Sequence, residues 1–247
     1  MHKLKLIRKT DNRQRRETTE IRPHIYRDSD SISMEFPNGY VQSQMLTGDP
    51  NHLALSYTRA MIAFPLFYPE PARIAIIGLG GGSMVKWCYH QLPATEITVV
   101  EINPHVISLR EEFHIPADDH RLRVIHGDGA DYVAGAVDSP EVLLIDGFDV
   151  NGQAPQLCSP QFYRNCYRAL ARDGLMVANL CGPDDQASID SIRGAFGRRT
   201  VIAIPEDGEN QIVFAFKGKR SRGETLPAAE LAGRMVEYVQ IPVQVQS

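Results

Sequence analysis

Residues 73–83 read Arg-Ile-Ala-Ile-Ile-Gly-Leu-Gly-Gly-Gly-Ser, an apolar run that passes directly into a glycine-rich turn. A short apolar run bounded by glycine is typical of a buried strand. Gly78 and Gly80 let the backbone turn tightly and leave no Cβ in the path of a ligand. The helical pattern that follows reaches Gln91. This strand, turn and helix predict a unit of a parallel sheet that binds a nucleotide or nucleoside at the turn.

The same alternation of strand and helix continues along the rest of the chain. Apolar runs that favour strands occur at 73–77, 96–101, 122–126, 142–146, 175–180, 200–204 and 211–216. Helical spacing occurs between most of them, and a last amphipathic helix is predicted over 228–239. Repeated βα units with right-handed crossovers predict an α/β fold with a doubly wound, Rossmann-like sheet.

The chain divides into three predicted parts. Residues 1–20 form a basic arm, predicted to be flexible, in which seven Lys and Arg side chains outnumber three acids. Residues 21–48 form a small β appendage, whose strands 31–36 and 40–45 join at the hairpin signal Asn38-Gly39. Residues 49–247 form the main domain. It begins with a predicted helix that contains the apolar run 52–67, with Asp49 as the candidate N-cap and Pro50 at the first helical position.

Composition excludes several classes of partner. With a formal net charge of −4 and a pI of about 6.1, the chain lacks an overall basic footprint for nucleic acid, and only the short basic arm at 1–20 could touch RNA or an anionic lipid. No apolar run reaches the length of a membrane span, and the amino-terminal residues lack the apolar core of a signal peptide. The four cysteines show no metal-ligand spacing, which indicates reduced thiols and a cytoplasmic protein. We therefore expect no nucleic-acid, membrane or metal partner.

Acidic residues follow the predicted strands where a ligand would lie. Ligands of doubly wound sheets bind beyond the carboxyl ends of the strands. Glu101 ends the second strand and is placed to accept hydrogen bonds from ribose hydroxyls. Asp128 follows the third strand and can accept a bond from an adenine amino group, while Gly129 allows close approach. Asp146 and Asp149 follow the fourth strand and are predicted to face the reacting centre.

Each of these features also has a simpler interpretation. The glycine turn alone fits a dinucleotide-dependent dehydrogenase, and Glu101 does not separate the two classes. Asp128 could serve only as a helix N-cap, and Asp146 could only order its own loop. Ser83 stands where a dinucleotide fingerprint has its third glycine. Taken together, in register with four strands, the set favours an S-adenosyl nucleoside.

Five stretches of the sequence carry a resemblance to a known family. They are Asn38-Gly39-Tyr40-Val41-Gln42, Tyr57 ahead of Phe64-Pro65-Leu66, Val100-Glu101-Ile102-Asn103, Gly127-Asp128-Gly129 and Ile145-Asp146-Gly147-Phe148-Asp149. On these stretches the chain, from about residue 38 to about residue 216, resembles the spermidine synthase family and its relatives. The resemblance implies a seven-stranded sheet like that of class I methyltransferases. It also implies a homodimer, which would cover exposed strand edges of the appendage.

The resemblance implies a role for each matching residue. The residues expected to bind an S-adenosyl donor are Gln42, Gly78, Gly80, Gly81, Glu101, Ile102, Asp128, Gly129 and Asp146. Tyr57 and Asp149 are expected to contact the acceptor. Asp149 would be the general base that accepts a proton from an attacking amine, and Asp146 would be its orienting or ammonium-binding partner.

Departures from the family pattern bear on the choice of donor. Gly81 stands where the family usually has an aspartate, Leu53-Ala54 replace an Asp-Glu pair, and Arg59 replaces a glutamate. No aromatic and proline motif that would grip a diamine occurs at 204–208. The ammonium of decarboxylated S-adenosylmethionine needs a carboxylate partner when it is desolvated. Full S-adenosylmethionine carries its own carboxylate, which free backbone N–H groups at Gly81 would accommodate.

These departures favour methyl transfer from S-adenosylmethionine to a small-molecule amine or a protein acceptor. The alternative is aminopropyl transfer from decarboxylated S-adenosylmethionine to a diamine such as putrescine. A second alternative is a nucleoside-binding protein without catalytic activity. The segment 147–158 is long for a connection between strand and helix and contains Gly147, Gly152 and Pro155, so we predict a mobile lid there.

Overall fold

The computed structural model describes residues 21–37, 39, 41–136, 139–182, 185–206, 208–218 and 227–246. The predicted basic arm at 1–20 and Asn38 of the predicted hairpin turn lie outside these residues. The strands are β1 His24–Arg27, β2 Ser31–Glu35, β3 Val41–Leu46, β4 Arg73–Ile77, β5 Glu96–Glu101, β6 Leu122–His126, β7 Val142–Ile145, β8 Phe148–Asp149, β9 Gly152–Gln153, β10 Leu175–Leu180, β11 Thr200–Pro205, β12 Gln211–Phe216 and β13 Val243–Gln246. The helices are α1 Ser56–Met61, α2 Ser83–Gln91, α3 Pro104–Ile107, α4 Gly129–Ala134, α5 Pro160–Ala169, α6 Asp185–Phe196 and α7 Ala228–Val239. Single 3-10 turns form at Phe64–Leu66 and Pro155–Leu157.

The central sheet confirms the predicted fold class. Its strand order is β13-β11-β12-β10-β7-β4-β5-β6. Strands β10, β7, β4, β5 and β6 run parallel to one another, whereas β12 runs antiparallel to both β10 and β11. The described sheet has eight strands rather than the predicted seven, because β13 pairs antiparallel with the edge strand β11. The alternation of Val243 and Val245 with glutamines is a strand pattern that the sequence interpretation missed.

The amino-terminal appendage is a separate antiparallel sheet of three strands in the order β1-β2-β3. The predicted hairpin corresponds to β2 and β3, and His24–Arg27 adds a third strand beside β2. Met34 and Met45 of this sheet are almost fully buried and belong to the core on one face of the main sheet. The appendage is therefore packed against the main domain by apolar contacts.

Two predicted helices are shorter in the structure. The helix expected over 52–67 is reduced to α1, which begins after Leu55, followed by the 3-10 turn at Phe64–Leu66. Asp49 does not cap it, because its side chain instead accepts a hydrogen bond from the backbone N–H of Asn51 at 3.3 Å. The helix expected to run from Pro104 to about Phe113 is regular only through Ile107 and continues as turns.

Both faces of the central strands are buried. Every residue of β7 and of β10 is buried, and successive residues contribute to cores on opposite faces of the sheet. Their carboxyl ends are therefore fixed by packing on two sides and form a rigid platform. No helix of the described residues is long and apolar enough to cross a bilayer.

Candidate active site

A cavity of about 680 Å³ lies at the carboxyl ends of the parallel strands, beneath the amino-terminal sheet. In the sheet, β4 lies between β5 and β7, so the direction of winding reverses at this point and opens a crevice. The predicted site residues that line the cavity are Gln42, Tyr57, Gly78, Gly80, Glu101, Ile102, Asp128, Gly129, Asp146 and Asp149. Residues more than a hundred positions apart in sequence are thus brought to one crevice.

The turn after β4 packs directly against the end of β7. Gly78 has a φ of +99°, and a Cβ at this position would overlap the backbone carbonyl oxygen of Asp146. The backbone N–H of Asp146 donates to the carbonyl of Ile77 at 2.8 Å, and that of Gly78 donates to Val100 at 2.9 Å. Glycine is therefore required at residue 78 both for the backbone conformation and for the close approach of two strand ends.

Gly81 is the predicted donor-binding residue that does not line the cavity. A Cβ built on it would lie 2.5 Å from Ser43 Oγ and 2.7 Å from Phe113 Cδ1. The amino-terminal sheet and the residues before β6 thus fill the space that a side chain at residue 81 would occupy. The expected role of Gly81 in receiving a donor carboxylate has no support in this placement.

Glu101 is held by the backbone on both sides of its carboxylate. It is 8% exposed, and it accepts hydrogen bonds from the backbone N–H of Leu79 at 2.8 Å and of Asn103 at 2.7 Å. Burial raises the pKa of Glu101, and these hydrogen bonds act in the opposite direction because they stabilise the charged form. The arrangement orients an acceptor toward the cavity at the end of β5.

Asp128 has the capping role of its simpler interpretation. Its side chain accepts a hydrogen bond from the backbone N–H of Ala130 at 2.7 Å and is the N-cap of α4. It also lines the cavity, beside Gly129. The two roles are compatible, because a carboxylate has two oxygens and a cap uses one of them.

Asp146 is the centre of a polar network. Its Oδ1 accepts a hydrogen bond from Asn179 Nδ2 at 2.9 Å, and its Oδ2 accepts a longer one from the Tyr57 hydroxyl at 3.4 Å. Burial raises the pKa of Asp146 to about 6, although both hydrogen bonds favour the charged form. Desolvation by burial, together with the nearby Asp146, raises the pKa of Tyr57 well above its ordinary value. The tyrosine therefore acts here as a hydrogen-bond donor.

The sequence interpretation missed two members of this network. Asn179 is 2% exposed, and its Oδ1 accepts a hydrogen bond from Asn210 Nδ2 at 2.9 Å. A signal for Asn179 was present, since it is the one polar residue in the apolar strand 175–180. Asn210 follows no strand end of the parallel set, and nothing in its local sequence indicates that it reaches the cavity.

Asp149 lies on β8, within the segment predicted to be a lid. Its Oδ1 accepts a hydrogen bond from the backbone N–H of Asn151 at 2.7 Å, and partial burial raises its pKa. The segment is not structureless, because β8 and β9 pair antiparallel and a 3-10 turn follows at Pro155–Leu157. The mobility of this segment stays a prediction.

The charge of the cavity has one sign. Five carboxylates line it, and none of the described lining residues is Lys, Arg or His; the acids are Glu101, Asp128, Asp146, Asp149 and Glu209. Within the described part of the chain, no group of three or more His, Cys, Asp or Glu is arranged to hold a metal ion. A concave site lined by one sign of charge concentrates ligands of the opposite sign. This cavity therefore favours cations.

Comparison with known proteins agrees with this geometry. Residues 54–189 match the family model described as the spermine/spermidine synthase domain. The chain is 36% identical to a polyamine aminopropyltransferase of Neisseria meningitidis over 189 residues. This aligned stretch covers 75% of the chain and 72% of the relative. It is 35% identical over 209 residues to a polyamine aminopropyltransferase of Chromobacterium violaceum, covering 82% of the chain and 80% of the relative. A probable spermidine synthase from Corynebacterium glutamicum has the same fold, with a TM-score of 0.75 and 20% identity over 91% of this chain and 87% of that one.

Proposed function

The chain belongs to the spermine/spermidine synthase family and is a transferase, and on that premise we propose that it transfers an aminopropyl group from decarboxylated S-adenosylmethionine to a diamine. The comparisons support this alternative rather than the methyl transfer that the sequence departures favoured. The observation that carries the proposal is the single sign of charge in the cavity, five carboxylates without a cation among the described lining residues. A decarboxylated donor and a diamine are cations, whereas the carboxylate of S-adenosylmethionine would meet repulsion and no basic partner.

The nucleoside part of the donor occupies the end of the cavity formed by β4, β5 and β6 in this proposal. Glu101, fixed by two backbone N–H groups, accepts bonds from the ribose hydroxyls. Asp128 and the backbone near Ile102 and Gly129 contact the base. Gly78 and Gly80 admit the donor close to the backbone, and Gln42 covers it from the amino-terminal sheet.

The reaction is a displacement at the carbon attached to the donor sulfonium. The neutral amine nitrogen forms a bond to this carbon, the bond from carbon to sulfur breaks, and methylthioadenosine leaves. Asp149 accepts the proton that the amine loses, and Asp146 and Tyr57 orient the acceptor beside it. Positioning within the cavity supplies most of the acceleration, since the sulfonium already provides a good leaving group.

Methyl transfer is a second candidate because of one observation. Where the family usually has an aspartate, this chain has Gly81, packed against Ser43 and Phe113, so one carboxylate partner for the donor ammonium is missing. If aminopropyl transfer is correct, the partner of the donor ammonium must then come from the remaining acids of the cavity, which are Asp146, Asp149 and Glu209. Product analysis separates the two reactions.

The experiment incubates the purified protein with putrescine and either donor and identifies products by mass spectrometry. We expect methylthioadenosine and spermidine from the decarboxylated donor. S-adenosylhomocysteine formed from S-adenosylmethionine, without turnover of the decarboxylated donor, would establish methyl transfer instead.

The same assay tests the assignment of the base. Asp149→Asn should lower kcat by roughly 100-fold or more while donor affinity is kept. The matched control is Asp190→Asn on the exposed side of α6, which should leave kcat unchanged. If Asp149→Asn kept its activity, Asp149 would not be the general base, and the proposed reaction itself would be unaffected.

A further inference from the structure

Asn179 places a primary amide in the interior at the end of β10. Its side chain is bonded at both ends, because Nδ2 donates to Asp146 Oδ1 at 2.9 Å and Oδ1 accepts from Asn210 Nδ2 at 2.9 Å. Its backbone carbonyl also accepts from Gln153 Nε2 of β9 at 3.4 Å. Three segments thus meet at one residue that is 2% exposed: the lid strands, β10, and the connection from β11 to β12.

The orientation of this amide decides what Asp146 meets. An amide presents an acceptor oxygen on one side and a donor nitrogen on the other, whereas an ionised carboxylate only accepts. If the Asn179 amide were reversed, its oxygen would face the Asp146 oxygen and two acceptors would be in contact. Asn210 opposes this reversal, because its Nδ2 donates to Asn179 Oδ1, and a reversed Asn179 would lose this bond unless the Asn210 amide turned as well.

We propose that Asn179 and Asn210 are positioning residues for the reaction centre: Asn210 fixes the orientation of the Asn179 amide, which then holds the carboxylate of Asp146 toward the cavity. Neither asparagine needs to touch the substrate. The role of Asp146 in turnover rests on the proposed function, but the orientation and ionisation of its carboxyl group do not.

The groups that share the cavity with Asp146 make this role measurable. The titratable side chains that line the same cavity are Tyr57 from α1, Cys181 after β10, Asp149 from β8, Glu101 from β5, Asp128 after β6 and Glu209 from the connection to β12. None of these is a cation, so the hydrogen bonds from Asn179 and Tyr57 are the interactions that favour the charged form of Asp146. Loss of the Asn179 donor should therefore raise the pKa of Asp146.

The primary test measures the titration of the Asp146 carboxyl carbon by NMR in the free, full-length protein. The signal is identified by its loss in Asp146→Asn. In Asn210→Leu the midpoint should move upward by about half a pH unit or more, which corresponds to one net hydrogen bond. The matched control is Asn165→Leu on α5, because the Asn165 amide oxygen accepts a hydrogen bond from Gln161 at the surface. In this variant the titration midpoint of Asp146 should equal that of the wild type.

An unchanged Asp146 midpoint in a folded Asn210→Leu variant would overturn the proposal. If Asn210→Leu does not fold, Asn210→Ala gives the same comparison with a smaller side chain. A merely structural role for Asn210 would lower the thermal stability and leave the midpoint in place.

Turnover provides an independent measurement. In Asn210→Ala we expect the acid limb of the kcat profile to move upward with the NMR midpoint, with the KM of the donor kept within about twofold. A wild type without aminopropyl transfer would refute the proposed function and leave the NMR comparison valid. A wild type with this activity, but with the same pH profile in Asn210→Ala, would refute only the positioning role.

Discussion

Asp146 carries a carboxyl group into a part of the molecule where burial disfavours a charge. It directly follows β7, whose four residues are all buried, and the two hydrogen bonds to its oxygens do not offset the desolvation. Such groups are common at active sites, because function there opposes stability. Gly78 is also constrained by its surroundings, because the close approach of two strand ends leaves no room for a side chain there.

Removal of the Asp146 charge should stabilise the protein, and only above a certain pH. Burial raises the pKa of Asp146 from 3.8 to about 6. The contribution of this group to the free energy of unfolding is therefore fully present below pH 3.8 and is lost as the pH rises through 6. At pH 7.5, Asp146→Asn should be more stable than the wild type by on the order of 1–3 kcal/mol. Near pH 4 the difference should be small. Thermal denaturation at both values measures it, and equal effects at the two pH values would contradict the buried charge.

Gly78→Ala should be far more damaging than glycine replacement elsewhere. The new Cβ would overlap the carbonyl oxygen of Asp146, and its three nearest atoms all belong to the backbone of Asp146 and Gly147, which cannot rotate away. We expect a loss of roughly 3 kcal/mol or more in the free energy of unfolding. Gly197→Ala is the matched control, since its φ of +72° is also positive but nothing lies within 4 Å of its Cβ position. Strain alone should cost about 1 kcal/mol there, and similar losses in both variants would show that the steric overlap is relieved.

At the scale of elements, the amino-terminal sheet contributes directly to the lining of the cavity. Ser43 of β3 and Phe113 before β6 close the space beside Gly81, so two elements distant in sequence shape the turn after β4. The difference from the family pattern therefore involves more than the exchange of one residue. Gly81 in place of an aspartate goes together with a packing contact between the appendage and the glycine turn.

Restoration of the acid by Gly81→Asp should fail for this reason. The new side chain would meet Ser43 Oγ and Phe113 Cδ1 at 2.5 and 2.7 Å. We expect a loss of about 1–3 kcal/mol in stability and no gain in affinity for the decarboxylated donor. Combination with Ser43→Gly should recover part of the stability, because one of the two contacts is removed. A Gly81→Asp variant as stable as the wild type would show that the space is not filled.

The sequence predicted most elements because their signals are local. Apolar runs identified the strands β4, β5, β6, β7, β10, β11 and β12, and the acids at the ends of β5, β6 and β7 line one cavity together with the glycine turn after β4. The errors have different causes. Asp49 failed as a cap because a local turn competes for its side chain, and β13 was missed because an edge strand has a weak apolar signal. Asn210 could not be found, since its contact with Asn179 depends on the pairing of β10 with β12.

At the scale of the whole molecule, a negative formal net charge accompanies the acidic cavity. The formal net charge is −4, and the described lining of the cavity contains acids and no bases. The field of the molecule and the field of the site therefore act in the same direction and attract cationic ligands. The homodimer, the division of the chain at residues 20 and 48, and the cytoplasmic location stay predictions.

Calorimetric titration with the two donors tests the central claim that the site selects a cationic, decarboxylated donor. The two ligands differ by one carboxylate, which in this cavity meets acids and no basic side chain among the described residues. We predict that decarboxylated S-adenosylmethionine binds at least about tenfold more tightly than S-adenosylmethionine, a difference of roughly 1.4 kcal/mol. Tighter binding of S-adenosylmethionine would contradict the account.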